Sequence, residues 1–288
     1  MNILQIGTID NSGGAALISW KIKKALEKFG HKTSTFVASK YSNESNVFVI
    51  KRTVHRYFCY LFSNDIDLFR TNWILKTKEF KEADIIHCHN LHGWFFNLKT
   101  LEKMSKLKPV IWTLHDMWAI TPHCAHSFGG ELKNGFYQCP KLNMYPRILW
   151  HNEKYLMWRK KNIYNNSDIE IVVPSLWLKH KVENSVLKDK NIHLIYNGID
   201  VNVFKKTNKQ ITREELNIPQ DKKIVLFVSD GGKSNSYKGW VYIEKILEKY
   251  ERNDVHFICI GGISESYYGQ NSNISYVNKI NNPALLAK

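Results

Sequence analysis

The stretch Asn191–Phe204, NIHLIYNGIDVNVF, decides how this chain is organised. Ile192, Leu194 and Ile195 form a short apolar run of the kind a strand buries. Asn197-Gly198 follows as a turn signal, because glycine takes positive φ freely and asparagine tolerates it better than most residues. Asp200 then stands where it can cap the next segment. Upstream, Ile171-Val172-Val173-Pro174-Ser175-Leu176-Trp177 repeats the plan with a strand, a break at proline and a serine placed to cap a helix running through Val186. The two segments together predict the edge of one α/β domain and the linker to another.

Outward from this point, apolar runs alternate with segments of helical period. Ile3 to Ile6 precedes Ala15 to Phe29, Asp84 to Cys88 precedes Leu98 to Leu107, and Thr33 to Val37 and Val110 to Leu114 are further strands. Such alternation implies βαβ units and a mostly parallel sheet. Residues 52–80 are aromatic and basic and read as helical. Residues 116–145, rich in Gly, Pro, His and aromatics, read as a functional loop or lid, with a helix from Pro146 to Asn165 after it.

The pattern restarts beyond a Lys-rich joint at 205–210, with strands at Lys223 to Val228, Val255 to Ile260 and Ile274 to Val277 around a helix from Gly239 to Tyr250. We therefore divide the chain into domains 1–205, with the insertion 116–145, and 206–288. About 80 residues after the joint are too few for a doubly wound domain of about 150, so the second domain reads as cut short at Lys288.

With 288 residues and 43% hydrophobic content, the chain has material for a sizeable core. Its formal charge of +15 is spread along the length rather than gathered in a tail. Nucleic acid, anionic lipid and polyphosphate all suit that sign, although solvated lysines on helix faces account for most of it. The five cysteines, at 59, 88, 124, 139 and 259, do not form a disulfide framework, which makes the cytosol the default compartment. The N-terminus lacks the features of a signal peptide, and no run of eighteen apolar residues offers a membrane span, so a soluble or peripherally attached protein is expected.

Three places can carry chemistry. Gly13-Gly14 sits at the mouth of the first helix, where unhindered N–H groups and the helix dipole favour an anion; the spacing is not Gly-x-Gly-x-x-Gly. His115-Asp116 follows the strand at Val110, at the carboxyl end where open α/β sheets place ligands. A histidine beside a carboxylate can hold a proton or orient a hydroxyl. In Phe227–Trp240, FVSDGGKSNSYKGW, the Gly-Lys-Ser is not a Walker A motif, because the earlier glycine is replaced by Phe227. His123, Cys124, His126 and Cys139 look metal-like without the tight spacing of a zinc site. A loop packed by its aromatics is the favoured reading there, with a structural metal or a disulfide as the alternatives.

The Pro174-Ser175-x-Trp177 segment and the Asn197-Gly198-Ile199-Asp200 motif resemble the linker region of the family 4 glycosyltransferases. The resemblance covers essentially the whole length. It implies the GT-B fold class, α/β with two Rossmann-like domains facing a cleft, the second incomplete here. It further implies transfer of a sugar, with retention, from a nucleotide-diphosphate donor to a glycan or lipid-linked acceptor in cell-surface polysaccharide synthesis. His115 and Asp116 would be the catalytic pair: His115 would contact the donor sugar, with Thr113 two residues before it, and Asp116 would organise the loop, with contact to the acceptor as a further role. Gly13, Gly14 and Asn197 would line the donor side.

Lys233 and Lys238 hold the places of the family's basic pair and would neutralise the departing diphosphate. Lys233 stands where Arg is common, which removes bidentate binding. His89, Asn90 and His92 are acceptor-side candidates, or polar lining without a role. No cofactor is expected beyond the sugar nucleotide as substrate, and no metal.

The family's paired-glutamate motif lies beyond Lys288, so the chain alone is expected to be inactive or poorly stable. A non-catalytic binding protein of the same fold is the alternative. A nucleic-acid-binding module finds its one candidate stretch at Lys51 to Arg70, which in a glycosyltransferase more naturally lies near an anionic membrane carrying a lipid-linked acceptor. The expected location is the cytoplasm, with peripheral attachment on the inner face of the plasma membrane as an option.

Overall fold

A computed structural model of the chain describes residues 1–52, 55–229, 231, 235–250, 253–261 and 273–288. The chain separates into two compact units, Met1–Gly198 and Ile199–Lys288. In the first, β1 (Asn2–Ile9), α1 (Gly14–Lys28), β2 (Lys32–Ser39) and β3 (Val47–Val49) come first, followed by α2 (His55–Leu61), a 3₁₀ turn and α3 (Lys78–Glu82). Next come β4 (Ile85–Cys88), α4 (Leu98–Ser105) and β5 (Val110–Thr113), then a 3₁₀ turn at Trp118–Ile120 and a hairpin of β6 (Leu132–Lys133) and β7 (Phe136–Tyr137). Last are α5 (Glu153–Asn165), β8 (Glu170–Val173), α6 (Leu176–Glu183) and β9 (Ile192–Leu194).

Seven parallel strands form one sheet in the order β3-β2-β1-β4-β5-β8-β9. Helices on both faces of such a sheet bury the strands, and Leu4, Ile6, Ile86, Cys88, Trp112 and Ile171 share one core. The strand order reverses between β1 and β4. Connections leave the sheet in opposite directions there, and open α/β sheets place ligands at the carboxyl ends of the strands at such a point.

The second unit holds α7 (Lys209–Glu215), β10 (Lys223–Val228), a 3₁₀ turn at Ser236–Lys238 and α8 (Trp240–Lys249). β11 (Val255–Ile260), β12 (Ile274–Val277) and α9 (Pro283–Ala287) complete it. Its three strands are parallel in the order β10-β11-β12, with Trp240 and Cys259 buried against Phe227, Ile243 and Tyr276. Among the described residues no helix is long and apolar enough to cross a membrane.

Local pattern and tertiary contact disagree at a few places. The helix expected from Pro146 begins only at Glu153, because the Leu149 and Trp150 amides donate to Ser63 Oγ at 2.9 Å and Asn152 Nδ2 donates to the Ser63 carbonyl. The helix expected to reach Val186 stops at Glu183, since the Val186 amide donates to the Gly135 carbonyl at 2.7 Å. Gly198 does not take the left-handed backbone the expected turn requires. The chain instead turns at Asp200, whose carbonyl accepts from the amides of Val203 and Phe204 and whose Oδ1 accepts from Asn202. Strand β3 follows a polar loop and shows too few residues for its period to be read.

Ser63 is buried and its hydroxyl is shared by two amides. Ser63→Ala should lower the unfolding free energy by about 1–3 kcal/mol, the cost of leaving buried polar groups unpaired, as read by urea denaturation.

Candidate active site

The loop after β1 is pinned by Asp10, which is buried and accepts from the Tyr41 and Ser42 amides at 2.8 Å each. Burial would raise its pKa, but hydrogen bonds from Ser42 and Tyr41 hold it below the usual carboxylate range. Gly13, at φ 87°, opens α1 with no side-chain cap and no acidic residue in the first turn. Gly13 and Gly14 are exposed, and nothing lies within 4 Å of where a Cβ would stand on either. A 15-residue helix thus presents its positive end with no acidic side chain in its own first turn.

The chain just after β4 stays bonded to β1, with the His89 amide donating to the Ile6 carbonyl at 2.8 Å. Trp112, on β5, donates its Nε1–H to the His89 carbonyl at 2.8 Å. His89 Nδ1 lies 3.0 Å from His115 Nε2, and the two rings stack with centroids 5.3 Å apart. His87 Nε2 pairs with Thr113 Oγ1 at 2.8 Å, its ring 4.2 Å from that of His89. His92 Nε2 donates to Asp116 Oδ2 at 2.7 Å, while Asp116 Oδ1 accepts from the Trp118 amide at 2.9 Å. Gly93, at φ 100°, is required here, because a Cβ would stand 2.8 Å from Tyr145 Oη.

Burial and the neighbouring His115 push His87 down to about 4; burial together with His87 and His115 takes His89 well below its ordinary value. Burial also lowers His115, against the pull of Asp116. All three imidazoles are therefore neutral near pH 7, each with one donor and one acceptor nitrogen. Asp116 would be raised by burial, yet the His92 charge and hydrogen bond and the Trp118 amide hold it below the usual carboxylate range. A carboxylate beside a relay of neutral imidazoles can orient sugar hydroxyls and respond to positive charge.

Beneath the loop lies a buried polar cluster. Trp118 donates its Nε1–H to Asp65 Oδ2 at 3.1 Å, and Lys160 Nζ sits 3.7 Å from the centre of its ring. Lys160 donates to the carbonyls of Trp118 at 2.6 Å and Thr121 at 3.1 Å. Burial pushes Lys160 down to about 7 and Asp65 up. Among the described residues, His89 Nε2 and His92 Nδ1 have no partner, which leaves both rings capacity for a ligand.

The description "Glycosyltransferase Family 4" belongs to the family model that matches residues 12–203. This chain is a family 4 glycosyltransferase sequence. A protein of Escherichia coli (strain K12) named for colanic acid biosynthesis glycosyl transfer, WcaC, is 32% identical over 154 residues, 49% of this chain and 36% of that protein. The match thus spans about a third of that relative's length.

Sucrose-phosphate synthase from Thermosynechococcus elongatus superimposes with a TM-score of 0.62 at 13% identity, covering 99% of this chain and 72% of that one. Anabaena HepE, in complex with UDP-glucose, gives 0.58 at 16% over 99% and 71%. WaaG, a glycosyltransferase of lipopolysaccharide biosynthesis, gives 0.53 at 11% over 99% and 72%. At such identities these likenesses speak for fold, and they agree with the α/β, GT-B class of the family.

In this family 4 chain the expected positions fall into separate groups. His115 joins His89, and Asp116 joins His92, by direct hydrogen bonds. Asn90 is half-buried between the two acceptor-side histidines. Asn197 is exposed in irregular chain after β9. Lys238 is exposed in the second unit, at the end of a 3₁₀ turn before a left-handed Gly239. Lys233 lies outside the described residues.

The insertion departs from the reading as a loop packed by aromatics alone. Cys124 and Cys139 are bonded to each other, which removes both as thiolate ligands. His123 Nδ1 pairs with the Pro146 carbonyl at 2.9 Å, and His126 stacks on Trp177. Sequence reasoning passed over Asp65, Trp118, Tyr145 and Lys160. Lys160 lies among Arg159 and Lys161 in what reads as a solvated helix face, so no local signal marks it as buried.

Because folding drives the proton off Lys160, the native state binds fewer protons than the unfolded chain between about pH 7 and the ordinary lysine value of 10.5. Stability from this group therefore rises with pH across that window. In urea melts at pH 7 and pH 9, Lys160→Met should flatten this rise relative to the parent. Equal pH slopes in the two proteins would contradict a depressed Lys160.

Proposed function

We propose that this protein is a retaining glycosyltransferase that moves a hexose from a nucleotide-diphosphate donor to a glycan or lipid-linked acceptor in cell-surface polysaccharide synthesis. The observation that carries the reading is the pair of hydrogen bonds His89–His115 and His92–Asp116 at the carboxyl ends of β4 and β5, inside the family-matched region. It is supported by the name of the E. coli relative and by the sugar-nucleotide complex of the HepE neighbour.

In this reading, leaving-group departure builds oxocarbenium character at the anomeric carbon, and charge placement matters more than a strong nucleophile. Gly13, Gly14 and Asn197 are the donor-side candidates of the first unit, and Lys233 and Lys238 are the candidate cations for the diphosphate in the sequence of the second. Neutral His115 accepts or donates a hydrogen bond to the donor sugar. Asp116 acts through the loop, keeping His92 and the Trp118 turn in register, while His89, Asn90 and His92 face the acceptor.

The test is release of nucleoside diphosphate from UDP- and GDP-sugars, with titration calorimetry of UDP and GDP. His115→Ala should lower kcat by about 10²–10⁴ without loss of fold, the range for a group positioned to transfer or hold a proton. Lys238→Ala should weaken nucleotide binding. Wild-type nucleotide binding without turnover, unchanged by His115→Ala, would identify a non-catalytic binding protein instead.

The burial-lowered His115 also sets a pH signature. The acid limb of kcat/KM should fall below the ordinary histidine value of 6.5, because the neutral ring persists to lower pH. A limb at or above that value would remove His115 from the titrating role.

A further inference from the structure

We propose that a pocket at the carboxyl end of β3 holds a negatively charged sugar residue of the acceptor glycan. The cavity measures about 360 Å³ and lies among Ile50, Lys51, Phe69, Arg70, Trp73 and Phe95. Pockets of that size take small ligands on mostly apolar walls with a few placed polar groups. Seven parallel strands put their carboxyl ends on one edge of the sheet, so the chain leaving β3 emerges on the same edge as the loops that carry His89, His92 and His115. Phe95 in the pocket wall stands three residues after His92, and three residues of chain span at most about 11 Å. The pocket is thus within a short oligosaccharide's reach of the histidines.

Its walls are held by hydrogen bonds and packing. The Ile50 amide donates to the Val37 carbonyl at 2.7 Å. Thr71 Oγ1 lies 2.7 Å from Thr100 Oγ1 and accepts from the Asn97 amide, while Asn97 Nδ2 donates to the Phe69 carbonyl at 2.9 Å. Trp73 stands edge-on to Phe36 with ring centroids 5.5 Å apart, which fixes the indole while 42% of the residue stays exposed. Ile50, Phe69 and Phe95 are buried and supply an apolar floor.

Charge decides the ligand's sign. Lys51 and Arg70 are exposed, and no Asp or Glu stands among the described residues that line the cavity. The acids nearest to each along the chain are occupied, Glu44 by Lys24 at 2.6 Å and Asp67 by Arg159 at 2.7 Å. A guanidinium fork takes a carboxylate or phosphate through two parallel hydrogen bonds. The C–H face of a sugar ring is apolar and lies on an aromatic plate, with its hydroxyls left to water. A neutral sugar would leave both cations unused, and a bare anion would leave the indole and the floor unused. A sugar bearing a carboxylate or a phosphate uses all of them. Its role as part of the acceptor rests on the glycosyl-transfer reading; its fit to the pocket does not.

The test is titration of the protein with methyl glucuronide, a hexose phosphate, methyl glucoside and inorganic phosphate, read by tryptophan fluorescence and ligand-observed NMR. At least one acidic sugar is expected to bind about tenfold or more tightly than methyl glucoside and inorganic phosphate, with the margin over the glucoside shrinking in added salt. The tighter of the two acidic sugars identifies the anionic group. Arg70→Ala should weaken that binding about tenfold or more, the cost of a lost charge-assisted pair, and leave UDP and GDP titrations unchanged. Lys51→Ala should weaken it in the same direction. Both replace exposed side chains, and their melting temperatures would confirm that they fold. Equal binding of methyl glucoside, no binding of either acidic sugar, or binding unchanged in both variants would overturn the proposal. So would binding to anionic vesicles that the variants abolish while the sugars are ignored. Turnover of neutral acceptors with a KM that Arg70→Ala leaves unchanged would overturn this proposal and leave the proposed activity standing. Arg70-dependent binding of an acidic sugar by a protein without turnover would keep the pocket and remove the activity.

Discussion

The amino group of Lys160, enclosed in the first unit, is the contact on which the site loop depends. It closes on the carbonyls of Trp118 and Thr121 and lies over the Trp118 ring, while Asp65 takes the indole N–H from the other side. The same tryptophan gives its amide to Asp116, whose second oxygen takes His92. Burial disfavours the charged form of this amine and lowers its pKa to about 7, while oriented carbonyls, a π face and a nearby carboxylate offset part of that cost. Removing any member leaves others unpaired in a low-dielectric interior, so the cluster holds one geometry rather than several.

That cluster sits under the point where the sheet reverses direction. β1 and β4 are neighbours whose connections leave in opposite directions, the arrangement at which open α/β sheets place ligands. His89, bonded through its amide to Ile6 and through its carbonyl to Trp112, is fixed to the sheet by backbone as well as by side chain. His115 leans on it. The resulting row of neutral rings can exchange donor and acceptor roles without moving charge into the core, which suits recognition of hydroxyl-rich ligands.

The insertion contributes by clamping. The Cys124–Cys139 bond closes its middle, and the Cys124 carbonyl accepts from Thr121 Oγ1 at 2.6 Å, which ties the bonded pair to the residue whose carbonyl accepts from Lys160. Tyr145 comes from its far end to stand over Gly93 and His92. Gly130 is needed for the same closure, because a Cβ there would stand 1.9 Å from the Gln138 carbonyl oxygen.

Alternation of apolar strands with helical segments was enough to read the parallel sheet, and strand-terminal positions were enough to single out His115 and Asp116, because both follow from short-range periodicity and from where loops must leave a sheet. Linker motifs near Pro174 and Asn197 carried the family. Partnership was a different matter. That His89 would bond His115, that Lys160 would be buried rather than solvated, and that Ser63 would delay α5 until Glu153 all rest on residues far apart in the chain meeting in space. A lysine between Arg159 and Lys161 has the same local pattern whether it faces water or Trp118. Only the packing of α5 against the turn after β5 decides, because burial and hydrogen-bond satisfaction belong to the assembled core and not to the order of residues.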